Sequence, residues 1–538
     1  MRVPPLCLAL TCLAGCNVDG SFQLVLTLPS AQELRPTGMT TVTVVLTPEG
    51  EQPIATTSVL ESNKFSTGDL SVADNVRVEV QLRDVSNRLV GVGEAADPVD
   101  IVAGDDVEVT IPVRRPFVYA TNGMSLFSFD PTLDPTNTLF QGQVSGVSAP
   151  QVVVSVGGDR LAIVSSNQLS VLTTDTNKLV GTPITLPGTT RDASAIPGTH
   201  KVAVAHDQGI AIVDLDNAQV ANAMVGPVDR VTVGPSADGR LIAHGLVGRV
   251  TPALNPLVTC GGSSSLVSID VDAPAAATPK PLPQPVSDIA AAPENVGLFA
   301  TLPCANKVVK LTGDIEGGAP AFSDFAPLDR AAVLAVAGGR VWAAGTKASV
   351  PNCTNQFGGQ VACTPDSPAL CPPPGTAPPS SVDYVREGAH MIVQSIPLDG
   401  GTPITLDLPG RRETIFDIDD PANQHAQVLR AFGAVPLDLV ALPGGQYVGL
   451  VATSNYYIQQ LSQGTNIILP CLDATTSDWL LLDMASSSIA QRVRTSCALV
   501  VGPANDFPNW ACDEPPVGER SSFGEYVPVS VGALFGAR

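Results

Sequence analysis

The sequence predicts an all-β protein of two domains. Three observations carry that reading. Glycine and proline number 48 each in 538 residues, leaving helices of ordinary length little room between breaks, whereas short strands joined by turns fit. Residues 21–115 alternate polar and apolar at about every second position, the period of a half-buried strand. Beyond Pro116 a three-strand unit recurs to the end of the chain, and repetition of this kind builds radial or solenoidal architectures.

The composition sets outer limits. Hydrophobic residues make up 44%, enough for more than one core at roughly 100–200 residues per domain. With 29 Lys+Arg against 51 Asp+Glu the formal charge is −22, and repulsion from phosphates argues against a nucleic-acid partner.

The first residues, MRVPPLCLALTCLAGCN, hold one basic residue (Arg2), an apolar stretch from Val3 to Cys12, and then Leu13, Ala14, Gly15 and Cys16. The run is too short to span a bilayer and has the form of a secretory signal. LAGC resembles the bacterial lipobox. That resemblance implies removal of residues 1–15, lipidation of Cys16 and a tether of residues 16–20. Asn17 follows where an aspartate retains many enterobacterial lipoproteins in the inner membrane, so the expected location is the cell envelope, at the outer membrane. No later segment offers 18 uninterrupted apolar residues, so the lipid is the expected membrane attachment.

In residues 21–115 the alternation marks strands at Phe22 to Thr27, Thr41 to Leu46, Val76 to Leu82 and Val107 to Val113. About seven strands fit in this length, the pattern of an immunoglobulin-like sandwich. The segment has no cysteine, so the inter-sheet disulfide of that fold is missing.

Residues 116–538 give seven second strands, from FVYAT at Phe117 through LAIVS, KVAVA, LIAHG, GLFAT and RVWAA to YVGLVA at Tyr447. Seven third strands follow them, among them GIAIVDL at Gly209 and WLLLDMA at Trp479. Turns such as SADGR and PGGQ precede second strands, where glycine supplies the backbone a tight hairpin needs. Six units also have a visible first strand. The first unit lacks one, and Val527 to Phe535 has nothing after it to pair with. A seven-bladed ring closed by that carboxyl-terminal strand is therefore expected, since closure removes exposed edges. FVYATNGMSLFSFD and GIAIVDLDNAQV resemble the YVTN-type β-propeller repeats, which are related in architecture to WD40, lactonase and quinoprotein propellers. The resemblance specifies architecture and not activity.

Eight cysteines remain after the first three, an even number in a chain read as exported: Cys260, Cys304, Cys353, Cys363, Cys371, Cys471, Cys497 and Cys512. In an up-and-down propeller all eight map to one face, where second strands turn into third and fourth strands pass to the next blade. Disulfides are expected for Cys497 with Cys512, Cys260 with Cys304, and two among the rest, although eight cysteines allow 105 patterns. The long insertions 347–388, 454–477 and 498–525 open on the same face, and long loops in compact folds are usually functional or disordered.

No zinc spacing, GxSxG, phosphate loop or CxxCH occurs, and no cofactor is expected. His200, His206 and His244 lie on or beside strands, His390 starts a third strand, and His425 falls in a loop. Asp417, Asp419 and Asp420 could bind calcium, although a solvated acidic turn is the favoured reading. The expected function is a lipid-anchored binding or scaffold module. Its cysteine-rich face, with Asn455, Tyr456 and Tyr457 as binding candidates, would meet a protein or envelope polymer. The alternative is a lactonase-like hydrolase or quinoprotein-like dehydrogenase with its site at the channel mouth. Polar residues converging on the channel would favour the enzyme, and exposed aromatics on the loop face the binding module.

Overall fold

The computed structural model describes the backbone from Gly20 to Ala533, except for short connections and the stretches 131–140, 251–261, 363–381, 495–518 and 522–529. Among the described residues the regular structure is β-strand, with one 3-10 turn at Gln32–Leu34.

The amino-terminal strands form one hydrogen-bonded sheet folded around a single core. Leu24, Leu26, Val42, Val44, Leu46, Val76, Val78, Val80, Val109 and Ile111 all point into it, as the period of two demands. Fully burying each such side chain stabilises by about 1.5–3 kcal/mol. Gly20–Thr27 runs parallel to Asp106–Arg114, with Ser21 opposite Asp106 and Thr27 opposite Pro112. Asp106–Arg114 then leads directly into the next strand, Val118–Thr121.

From there the chain is β-propeller-like. Five contiguous antiparallel four-stranded sheets follow one another, over residues 150–185, 190–224, 230–281, 288–327 and 331–409. A sixth is made of Val118–Thr121, Leu126–Phe129, Gln141–Val144 and, from the other end of the chain, Ser530–Ala533. Ser530 lies opposite Thr121 and Ala533 opposite Val118, antiparallel. A seven-stranded sheet covers residues 412–521.

The first strands touch in succession. Pro150–Val156 meets Thr190–Ala195, which meets Arg230–Pro235, and the series runs on through Asp288–Ala291, Ala331–Ala337 and Gln424–Ala441 to Ser530–Ala533, which returns to Pro150–Val156. Small residues allow this approach. A Cβ on Gly234 would come within 2.6 Å of the Ala291 Cβ. Between neighbouring sheets lie continuous apolar layers; one holds the fully buried Trp342, whose Nε1 donates to the Ala337 carbonyl at 3.1 Å.

The amino-terminal unit is bonded to this assembly. Arg115, whose amide is held within the unit by the Leu34 carbonyl at 2.9 Å, reaches across with its guanidinium to Asp130 at 2.8 Å. Leu89 and Val92 join Tyr119, Leu126 and Leu161 in one apolar cluster.

Two expectations need correction. The segment 454–477 is not simply a loop. Tyr447–Ser462 continues as strand, antiparallel to the 18-residue Gln424–Ala441, and Arg412–Asp420 and Thr465–Ile468 flank the pair. Short connections close these hairpins, so backbone groups find partners in an extended sheet. Likewise Asp417, Asp419 and Asp420 occupy a strand, opposite Gln427, His425 and Gln424, in place of a turn. His425 is in a strand too. Within 347–388, Asn352–Asn355, Gln360–Ala362 and Val382–Asp383 make a small sheet of their own.

Candidate functional site

Most first strands carry small and β-branched residues along their length, but three of them place a charge near their start and a fourth, Gln424–Ala441, places Asp438 where it enters the ring. Asp192, Arg230, Asp288 and Asp438 converge there, from four different sheets, around a cavity of about 140 Å³. Val154, Ala193 and Ala335 line the cavity as well, together with Ser155, Ser194 and Thr232.

Arg230 is bonded to Asp192 and paired with Asp288, and all three carboxylates are bonded to the frame. Arg230 Nη1 donates to Asp192 Oδ1 at 3.2 Å, Nη2 donates to the Leu437 carbonyl at 3.3 Å, and Nε stands 3.5 Å from Asp288 Oδ1. The second oxygen of Asp192 accepts the Val231 amide at 2.9 Å. Asp288 Oδ2 accepts the Leu334 amide at 3.0 Å, and its Oδ1 accepts the Ile289 amide at 3.0 Å. Asp438 Oδ1 accepts the Leu439 amide at 3.1 Å. Asp192 and Asp288 thus each satisfy an amide on the first strand of the following sheet, so one ion cluster ties the inner strands together. Burial is what makes such bonds count.

The electrostatics follow from that burial. Desolvation pushes the Asp192 carboxyl up to about 6; the Arg230 guanidinium and the Val231 amide work against the shift, while Asp288 and Asp438 add to it. Arg230 loses solvation as well, but the carboxylates of Asp288, Asp192 and Asp438 overcompensate and hold its guanidinium above the ordinary range. Beside it Arg249 donates from Nε to the Ser287 carbonyl at 2.6 Å. Burial, and then the like charge of Arg230, bring Arg249 down to about 10. Asp229, ion-paired with Arg191, accepts the Gly248 and Arg249 amides at 2.9 and 3.0 Å.

Among the described residues three histidines have their side chains held by the frame. Burial pushes His244 down to about 4, leaving it neutral at ordinary pH, and its Nδ1 lies 3.0 Å from Ser268 Oγ. That hydroxyl donates to the Ile315 carbonyl at 3.2 Å, so it is fixed by the frame and not activated. His206 Nε2 is 2.9 Å from Asn222 Oδ1, and burial lowers its pKa. His200 lies at the opposite face, between Asp159 at 3.2 Å and Asp216 at 3.1 Å. No group of three or more His, Cys, Asp or Glu side chains able to hold a metal occurs among the described residues.

The residues singled out from the sequence fall elsewhere. Cys16, Cys260, Cys363, Cys371, Cys471, Cys497 and Cys512 lie outside the described residues. Cys304 follows Leu298–Leu302, on the side of the ring where the charged mouth opens, and is disulfide-bonded. Cys353 lies in the small sheet, its backbone opposite Val361. Asn455, Tyr456 and Tyr457 stand in the extended sheet, opposite Ala431, Arg430 and Leu429. None of these described positions lines the mouth. The mouth residues themselves escaped sequence reasoning, although the signal was present: DASA, SDIAA and LDLVA each place one aspartate at the head of a small-residue strand.

No protein-family model and no curated protein matches the chain. Among solved structures it is similar to hydrazine synthase of Kuenenia stuttgartiensis, at 13% identity and a TM-score of 0.35, covering 66% of this chain and 99% of that one. It is also similar to the Cps50 (Swd1) β-propeller domain of Myceliophteria thermophila, at 10% identity and a TM-score of 0.33, covering 63% and 94%. Likeness at this level says nothing of activity.

Proposed function

We propose that the chain is an exported lipoprotein, anchored through Cys16 at the outer membrane, that acts as a binding module. In this reading residues 21–115 are an immunoglobulin-like sandwich and residues 116–538 a seven-bladed β-propeller. The face bearing the cysteines and the insertions meets a protein or envelope-polymer partner. One observation carries the preference for binding over catalysis. At the channel mouth the charged groups are committed to each other and to backbone amides, which rigidifies the ring, whereas the inserted strands all leave from that same side. A rigid ring presents its surface with little ordering cost on association. Pairing of Cys260 with Cys304, and of Cys497 with Cys512, would brace that surface.

The test is crosslinking and pull-down from native cells, comparing the intact protein with one in which residues 347–388 are replaced by a short Gly-Ser turn. Circular dichroism first establishes that the ring is folded. A partner lost with the insertion supports the reading; partners unchanged, or none in either sample, sink it.

The enzyme reading keeps one point in its favour, the convergence of Asp192, Arg230, Asp288 and Asp438 on a cavity. It requires that Asp192→Asn abolish turnover of a small-molecule substrate found by screening while the ring stays folded.

A further inference from the structure

We infer that the insertion-bearing face is the end of the molecule farthest from the membrane that holds it; the inference rests on the anchoring proposed above and on strand directions. Asp106–Arg114 enters the ring at its carboxyl end. Gly20–Thr27 is parallel to it, so Ser21 lies beside Asp106, at the pole remote from the ring. Leu70, opposite Gly20, and Val99–Ile101, beside Ala73 and Val76, gather at that same pole. The residues that touch the ring, Leu89, Val92 and Arg115, belong to the other pole.

The side of the ring on which this unit docks is equally fixed. Val118–Thr121 begins where first strands turn into second strands, and Asp130, the partner of Arg115, follows the end of the third strand Leu126–Phe129. Both points lie on one side of the ring. Second strands turn into third strands on the other side, at 207–208 and at 303–306 with Cys304, and the small sheet within 347–388 lies there. The strands Gln424–Ala441 and Tyr447–Ser462 overrun the ring on that side too.

The order is therefore tether, amino-terminal unit, ring, insertion face. At ~3.3 Å per strand residue the parallel pair spans ~25 Å and the ring strands ~20 Å more, so the face stands on the order of 45 Å beyond Gly20. A partner on this face, protein or envelope polymer, is met away from the anchoring leaflet, whose lipid headgroups are out of its range.

Energy transfer tests this. A fluorescent non-natural residue is placed singly at Asp74 (tether pole), Gln219 (docking side of the ring) or Gln208 (insertion side), all exposed. The mature lipidated protein is reconstituted into phosphatidylethanolamine/phosphatidylglycerol vesicles with an acceptor on the headgroups. Transfer falling in the order Asp74, Gln219, Gln208 is expected; transfer from Gln208 equal to or above that from Gln219 overturns the inference. The same three proteins, with a hexahistidine tag replacing residues 1–16 and held on nickel-chelating lipid, must give the same order. Failure to bind vesicles through the native lipid, with the order kept on the tag, overturns the anchoring and leaves the strand geometry supported.

Discussion

Replacing Arg230 with methionine keeps most of the side-chain volume and removes the charge that Asp192 and Asp288 face. Both carboxylates retain their backbone amides, but each is left buried beside another negative group. Breaking a buried pair by removing one partner costs ~3–5 kcal/mol. Unfolding entropy of roughly 2.1 cal/mol/K per residue, over about 400 residues of ring, gives ~0.8 kcal/mol/K, so the loss converts to ~4–6 °C in Tm. The three tryptophans, Trp342, Trp479 and Trp510, all lie beyond residue 116, so tryptophan fluorescence during heating reports the ring alone.

The pH dependence supplies a second signature. Burial pushes the Asp192 carboxyl in the folded chain from its ordinary 3.8 up to about 6, so folding takes up a proton between those values and the cost of the buried charge is greatest above pH 6. Without Arg230 the carboxyl rises further. The deficit of R230M should be largest at pH 7.5 and shrink at pH 5, and D192N in the R230M background should recover part of it. An unchanged Tm, or a deficit equal at both pH values, would refute the view that this cluster ties the ring together.

Glu94 gives a second pH prediction. Burial, and then the neighbouring Glu79 charge, raise it to about 8 against the opposing pull of Arg77, so stability of the amino-terminal unit should fall as pH rises from about 4.5 to 8. Glu94→Gln should flatten that slope in chemical denaturation followed by circular dichroism, and an unaltered slope would contradict the assignment. Removing residues 527–538 strips Ser530–Ala533 from the edge of Val118–Thr121; light scattering should detect aggregation, and a soluble, folded truncation would rule closure out. Gly234→Ala drives a Cβ toward Ala291, an overpacking expected to cost ~1–3 kcal/mol and to appear as a lowered Tm.

How much was legible depended on what each strand faces. First, second and third strands are sandwiched between sheets, so segments such as Leu161, Ile163 and Val164 announce themselves by apolarity. The fourth strands did not, because Lys178–Thr185 and Gln219–Met224 are the outer edge, mostly exposed, and carry no alternation. The acidic run at 417–420 reads as a turn and 454–477 as a loop because both interrupt the repeat, whereas Arg412–Asp420 is a strand and Tyr447–Ser462 runs on well past Ala452. The charged mouth was hidden for a different reason. Asp192, Arg230, Asp288 and Asp438 are separated by up to 246 residues, and only the ring brings them within bonding distance. A repeat marker was also overlooked. Asp214 and Asp270 each close the corner after a third strand, accepting the amide two residues on at 2.9 Å, as short polar side chains do in such turns.

The pairing of Ser530 with Thr121 sets a schedule for the molecule's birth. A chain delivered amino end first completes residues 20–114 early, and that unit can fold on local contacts. Val118–Thr121 follows at once and pairs with Leu126–Phe129, but its other edge is covered only 409 residues later. Contacts so distant in sequence form slowly and leave open edges exposed in the meantime. The protein must therefore pass through an interval, set by the rate of its own delivery, in which its ring is an unclosed arc in need of protection from its neighbours.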